Sequence, residues 1–384
     1  MRKMTAGYTI ILPAIAVVFS FLLIPSMARA EWRDELPDGL RVTGRYFYAG
    51  GYTFERPFLD DDTFAEVNLR LNGIYRIDPD WKLHFSYQAD FTYMQMISMY
   101  PDQPDGLIDL RWPIDGKSNW RAGHALDRLY LNYRGDDFTL DIGRQRMAWG
   151  TTQLLSFLDM FHPIRPGNPF VPEQPGTDGI RIQIQTGMTS GWDILYAWLD
   201  KDGNEAVAAR YHDVFGEFES AFSTGRIGGE DFVAVETSGD INDIGVRIEA
   251  AWRDTIDGDK WQVALESDYA PNSLTYLSGE IFYNGPGAAR PVDYDPEFLT
   301  GNILYPARWY AGVNCSHNNA GLTTLGFIGI MNLTDDSWFS DLSIQHSLSD
   351  ESDLRLGYQH YEGDLVSEYG ALPDMIYVIV SSYF

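Results

Sequence analysis

The stretch Trp81-Lys82-Leu83-His84-Phe85-Ser86-Tyr87-Gln88-Ala89-Asp90-Phe91-Thr92-Tyr93 decides how this chain is read. Odd positions are apolar or aromatic, and even positions are polar or charged. A period of two held this long is a strand. About ten residues cross a bilayer at a tilt, whereas strands of soluble sheets run nearer five or six. Aromatics at both ends of the apolar face fit the interfacial girdles of a membrane barrel.

Similar segments lie on both sides, at 43–54, 63–77, 124–134, 137–148, 178–188, 190–200, 204–211, 214–226, 231–239, 242–253, 260–270, 273–284, 308–317, 321–331, 338–347, 353–362 and 374–384. With 81–94 they predict eighteen strands, or sixteen if the pair within 204–226 is not strand. No run beyond residue 30 approaches eighteen apolar residues, so no helix is expected to span a membrane. Strands satisfy their backbone in lipid only by closing into a barrel. The expected fold class is all-β, a transmembrane antiparallel β-barrel.

The connections support this. Every second one is short and turn-like: 78–80, 135–136, 189–190, 212–213, 239–240, 271–272, 318–319 and 349–351. The long ones, 55–62, 98–123, 149–177, 285–307 and 363–373, all fall on the other end. Short periplasmic turns and long extracellular loops are how outer-membrane barrels are built.

Arg2 and Lys3 precede an apolar run from Tyr8 to about Pro25, and Ala28-Arg29-Ala30 offers a cleavage site. This predicts a signal peptide over 1–30, cut near Ala30. A single barrel domain then covers 31–384, with 31–42 as a short periplasmic tail. Cleavage removes three positive charges, so the net charge falls from −27 to −30. Such acidity disfavours nucleic acid as a partner. Cys315 is the only cysteine, which excludes an internal disulfide and covalent c-type haem. No cofactor is expected. The seven histidines show no metal-ligand spacing, so no metal is expected either.

Ile376, Val378, Val380 and Phe384 share the face of the last strand. A terminal Phe of this kind resembles the C-terminal signature of Gram-negative outer-membrane proteins. The resemblance implies that Phe384 closes the barrel and is read by the barrel-assembly machinery. Gly143-Arg144-Gln145, with Trp149-Gly150, Asp159 and Pro163 beyond, resembles a run seen in porin-like outer-membrane barrels, including the alginate-export class. That implies a large barrel that passes or binds solutes, without naming the solute.

The long connection 149–177 carries prolines at 163, 166, 169, 172 and 175. Long loops in compact domains are usually functional or disordered. This is the third external loop, the position that folds into the lumen in the general porins it resembles. Asp159, His162, Arg165 and Glu173 are its candidates for a constriction. Continuing the parity of Phe138, Leu140 and Ile142 would put Arg144 and Arg146 into lipid. A bulge at Gly143 would turn both inward, toward acids such as Asp159 and Glu173, and is the favoured expectation. The alternative places both near the headgroups.

The polar strand faces give the remaining pore-lining candidates: Arg70, Lys82, His84, Arg128, Arg134 and Arg181 early, then Glu217, Glu219, Arg247, Glu249, Glu266, Asp268 and Arg355. Opposed charged walls suit a porin-like channel for small hydrophilic solutes. Salt bridges across the lumen are the competing arrangement. The chain could act as a monomer or homotrimer among outer-membrane lipid and lipopolysaccharide. A second function class is a structural barrel that sheathes a partner such as a multihaem cytochrome. A third is a lipid-facing enzyme using His346 and His360, although no catalytic residues are expected.

Overall fold

The computed structural model describes residues 36–56, 60–94, 106–117, 119–161, 168–170, 173–296, 303–319 and 321–384. The leader 1–30 therefore lies outside the described residues. The strands are β1 (Leu40–Thr53), β2 (Asp62–Arg76), β3 (Trp81–Tyr93), β4 (Arg111–Lys117), β5 (Trp120–Arg134), β6 (Phe138–Gln145), β7 (Thr177–Gln185), β8 (Gly191–Trp198), β9 (Glu205–Phe215) and β10 (Phe218–Ile227). They continue as β11 (Glu230–Ile241), β12 (Ile244–Thr255), β13 (Gly258–Asn272), β14 (Thr275–Asn284), β15 (Trp309–Asn319), β16 (Thr323–Asn332), β17 (Ser337–Ser349), β18 (Ser352–Glu362) and β19 (Met375–Tyr383).

All neighbours pair antiparallel. β3 pairs directly with β5, and β19 closes on β1 from Arg45↔Tyr383 to Thr53↔Met375. Eighteen strands thus form a closed barrel, and β4 is an extra short strand on one edge of β5. It lies in the connection read from sequence as the loop 98–123. Gly44 and Phe384 exchange both backbone hydrogen bonds, at 2.7 and 3.0 Å. The Phe384 ring lies over Gly44, 2.2 Å from where a Cβ would stand. Closure leaves the wall without the two raw edges of an open sheet.

The outer face carries Ile142, Ile184, Ile194, Val207, Phe222, Val233, Ile248, Leu265 and Ile281 on successive strands, all exposed. Alternation sets them opposite an inner face that mixes charged side chains with a band of small and apolar ones. The expected short turns at 212–213, 239–240, 271–272 and 318–319 fall two to four residues early. Alternation does not mark where a strand stops; backbone conformation does. Gly216 (φ 67°) and Asn242 (φ 58°) supply the positive φ that tight hairpins need.

The bulge expected at Gly143 is absent. Register runs unbroken through Ile142↔Leu131, Gly143↔Tyr130 and Arg144↔Leu129, and through Gly143↔Gly179 and Arg144↔Asp178. The bulge sits instead in β5, where register shifts between Ser86 and Tyr87 of β3 and makes Asp127 the extra residue. Gly143 is still required, because its φ is 126° and an added Cβ would lie 2.3 Å from the Leu129 carbonyl oxygen. Gly143→Ala should therefore cost about 1–3 kcal/mol. Urea unfolding of the lipid-reconstituted barrel measures it, and a wild-type midpoint would refute it.

Candidate functional site

Beyond Gln145 the described residues of the loop, 146–161, 168–170 and 173–176, leave the wall ladder, and their buried side chains pack against its inner face. The loop's seat is built from small residues. Ala197, Ala206, Ala208, Ala234, Ala251 and Ala264 line the inner faces of β8 to β13 and are fully or almost fully buried. Met147, Trp149, Leu155, Phe157 and Leu158 of the loop fill that groove, together with Phe232, Phe282 and Tyr310 from the wall. Phe157 stacks on Phe282 with ring centroids 5.3 Å apart. Gly312 lets Leu154 approach, since an added Cβ would stand 3.2 Å from Leu154 Cδ1. Each large side chain so buried contributes about 1.5–3 kcal/mol.

The loop backbone finds its partners on three glutamates of adjacent strands. Glu249 Oε1 accepts the N–H groups of Thr151 and Thr152, the latter at 2.8 Å. Glu266 Oε2 accepts Gln153 N–H at 2.6 Å. Glu280 Oε2 accepts Leu154 and Leu155 N–H at 3.2 and 3.1 Å. Five consecutive loop amides, which have no ladder partner, are thus satisfied by buried carboxylates.

The second half of the loop holds the opposite wall. Phe170 packs edge-on against Phe64 and Tyr377, at 5.1 and 5.5 Å. Glu173 meets Arg45 Nη1 at 3.2 Å, Arg70 Nε at 3.0 Å and Arg128 Nη2 at 3.8 Å. Arg70 also pairs with Asp127, the bulge residue of β5. Arg128 donates to Gln174 O at 3.2 Å, and Asp127 accepts Gly176 N–H at 3.3 Å. Gln174 donates to Asp159, so the two limbs of the loop touch.

The sequence candidates fall into distinct places. Arg70, Arg128, Glu249 and Glu266 hold the loop. Arg181 is paired with Asp193, which also accepts Trp149 Nε1–H at 3.0 Å. Arg247 is paired with Glu266 (3.2 Å) and Asp268, and Arg355 with Asp341 (3.0 Å). Register puts Lys82, His84 and Arg134 on the inner face toward the short-turn end, with His84 stacked on Tyr130 at 4.6 Å. Glu219 lies on the inner face at that mouth, but Glu217 sits in the turn after Gly216 and not on the wall. His162 and Arg165 lie outside the described residues.

Arg144 does not turn inward as expected. Arg146 is exposed, and Arg144 keeps its outward parity and pairs with Asp178 at 2.8 Å. The segment 106–108 covers the pair, and Asp178 accepts the N–H groups of Leu107 and Ile108. The roughly 2–4 kcal/mol cost of an arginine in lipid is avoided by this cover and not by a bulge. The loop acids expected to meet these arginines take other partners: Glu173 the three wall arginines, Asp159 Gln174.

Arg45, Asp127, Asp193, Glu236 and Glu280 complete the site and escaped the sequence reading. Arg210 is paired with Glu236, and Arg45 lies in β1 beside Arg70. Phe232 and Ala234 share the face of Glu236, and Phe282 that of Glu280, so the inner face of these strands does not read as polar. The bulge shifts Asp127 out of parity. A signal was available in the row of Glu236, Glu249, Glu266 and Glu280 on four successive strands.

His346 and His360 lie on the outer face six residues apart along the β17–β18 ladder, about 20 Å. His346 meets Thr323 at 2.9 Å. His360 meets Asp374 at 2.8 Å beside Trp338. They do not share a site. Burial opposes ionisation of Asp374, yet hydrogen bonds from His360, Tyr361 N–H and Tyr358 outweigh it and hold its carboxyl below the usual range. Among the described residues no cluster of His, Cys, Asp and Glu is placed to hold a metal ion.

No protein-family model and no curated protein sequence matches the chain. Solved structures do. A BenF-like porin from Pseudomonas fluorescens superposes with TM-score 0.56 at 10% identity, over 90% of this chain and 99% of that one. OpdQ from Pseudomonas aeruginosa gives TM-score 0.55 at 10% identity, over 91% and 99%. The outer membrane protein OpdK from Pseudomonas aeruginosa gives TM-score 0.54 at 11% identity, over 89% and 98%. The fold is that of the outer-membrane porins.

Glu280→Ala strips the acceptor from Leu154 and Leu155 N–H and should destabilise the barrel by about 1–3 kcal/mol. Glu280→Gln keeps a carbonyl acceptor and should cost less. Urea unfolding in lipid compares the two, and equal losses would mean that the carboxylate does not hold the loop.

Proposed function

We propose that the chain is a porin-like channel of the outer membrane, through which small hydrophilic solutes diffuse without chemistry. The observation that carries this reading is the described part of the loop, which is seated on β12 to β14 through residues 151–155 and on β1, β2 and β5 through Glu173 to Gly176; in this reading the loop narrows the lumen at that level. Toward the short-turn end the inner face stays polar, with His84, Arg134, Arg247 and Asp268. The fold likeness to porins agrees, and one of those structures is OpdK with vanillate.

The loop occupies the inner wall that a threaded protein would need, which favours a channel over a sheath for a cytochrome. In this reading lipid and lipopolysaccharide cover the exposed apolar outer face, and the assembly machinery reads Phe384. The protein reaches the membrane after loss of the leader near Ala30.

Planar-bilayer recording tests the function. Purified, heat-modifiable barrel should give stepwise currents, and deletion of residues 155–172 should raise the unit conductance several-fold by opening the narrowed level. A folded barrel that passes no current would end the channel reading. A deletion variant with unchanged conductance would show that the loop does not set the width.

A further inference from the structure

The wall is low where the chain dives into the lumen. β6, β7 and β8 have 8, 9 and 8 residues, whereas every other wall strand except β19 has at least 10. β4 makes up the deficit. Its residues Arg111 to Lys117 pair with Trp120 to Ala125 of β5, on the edge that β6 leaves vacant beyond Arg144↔Leu129. Leu126 N–H extends the contact to Leu110 O at 2.9 Å. Among the described residues β4 pairs with no second strand.

What holds the approach to β4 is an ion pair on the outer face. Arg144 Nε meets Asp178 Oδ1 at 2.8 Å, and Arg144 Nη2 meets Asp178 Oδ2 at 2.8 Å. Asp178 Oδ2 accepts the N–H groups of Leu107 and Ile108 at 2.8 and 3.2 Å, and Arg144 Nη2 donates to Ile108 O at 2.5 Å. Two strands of the wall and one external segment thus meet at one carboxylate. Gly106 (φ 66°) lets the chain pass, since an added Cβ would lie 2.5 Å from Asp178 Oδ2. A Cβ on Gly176 would stand 2.8 Å from Arg144 Cγ and 3.5 Å from Arg128 Cγ. Arg128 faces the lumen, so one backbone separates lumen from exterior here. Leu107, Ile108, Trp112 and Ile114 turn apolar surface outward over the seam.

We infer that the Arg144–Asp178 pair is a clasp: it fixes the residues 106–108 that lead into β4, whose ladder among the described residues is to β5 alone, across the gap left by the missing upper half of β6, and its release opens the lumen sideways between β4 and β7. Elsewhere in the wall, ladder hydrogen bonds join neighbours along both edges. β4 keeps its ladder to β5, and on the side facing β7 one ion pair and its backbone contacts stand in for a second ladder. Removing either partner leaves the other charged group covered and without its ion partner, which drives the cover off.

The test uses the full-length barrel in detergent and in planar bilayers, as wild type, Arg144→Met and Asp178→Asn. The sequence has no Lys or Arg between Lys82 and Arg111, so trypsin cleavage after Arg111 reports lifting of this segment. Cleavage of a transiently opened segment tracks its open population, and both variants should be cut about tenfold faster than wild type while staying heat-modifiable. Their currents should be larger and noisier. Heat-modifiable variants cut at the wild-type rate, with wild-type currents, would overturn the clasp. If both fail to fold, Gly106→Val decides by the same cleavage, because it pushes on the pair without altering β6 or β7. The electrical readout rests on the channel reading above and the proteolytic one does not. Silence from every variant, wild type included, would sink the channel and leave cleavage to judge the clasp.

Discussion

Three glutamates on adjacent strands hold the longest described loop inside the barrel, and the rest of the architecture follows from that attachment. A loop lying on the inner wall loses water from its backbone and has no ladder to join. Unsatisfied amides in such a place would each cost 1 kcal/mol or more. Glu249, Glu266 and Glu280 remove that cost for five residues in a row. The carboxylates are buried in turn, and the loop amides give them donors that bulk water no longer does. Neither partner would be stable in its position without the other.

The attachment reshapes the inner face around it. A wide barrel is expected to be polar inside, but here small residues on β8 to β13 form an apolar groove at the level of the loop. The same strands become charged again toward the short-turn end. Charged residues that remain at the loop level are largely consumed in pairs, as with Arg181 and Asp193 or Arg210 and Glu236. These pairs join neighbouring or next-but-one strands and so run along the wall.

Sending the chain inward also has a consequence for the wall. β6 ends after eight residues, and the space above it must be closed by other means. A strand from the preceding external loop takes that place, and an outward-facing arginine that would have been a liability in lipid becomes the point that fixes it. The inner seat of the loop and the seam in the wall are two results of one chain departure at Gln145.

The sequence by itself determined the barrel. Period-two alternation, the absence of an apolar helix-length run, the segregation of long and short connections and the terminal Phe384 are local properties, and each survives folding unchanged. They were enough to locate every wall strand. Tertiary structure decided what touches what inside. Arg144 met Asp178 and a distant backbone segment, and Glu173 met three arginines up to 128 residues away. The bulge belonged to Asp127 and not to Gly143. Parity along a strand says which face a side chain takes, but partners are set by register, by where a bulge shifts that register, and by which surface a long loop covers. Those are relations between segments far apart in the chain, and no single segment encodes them.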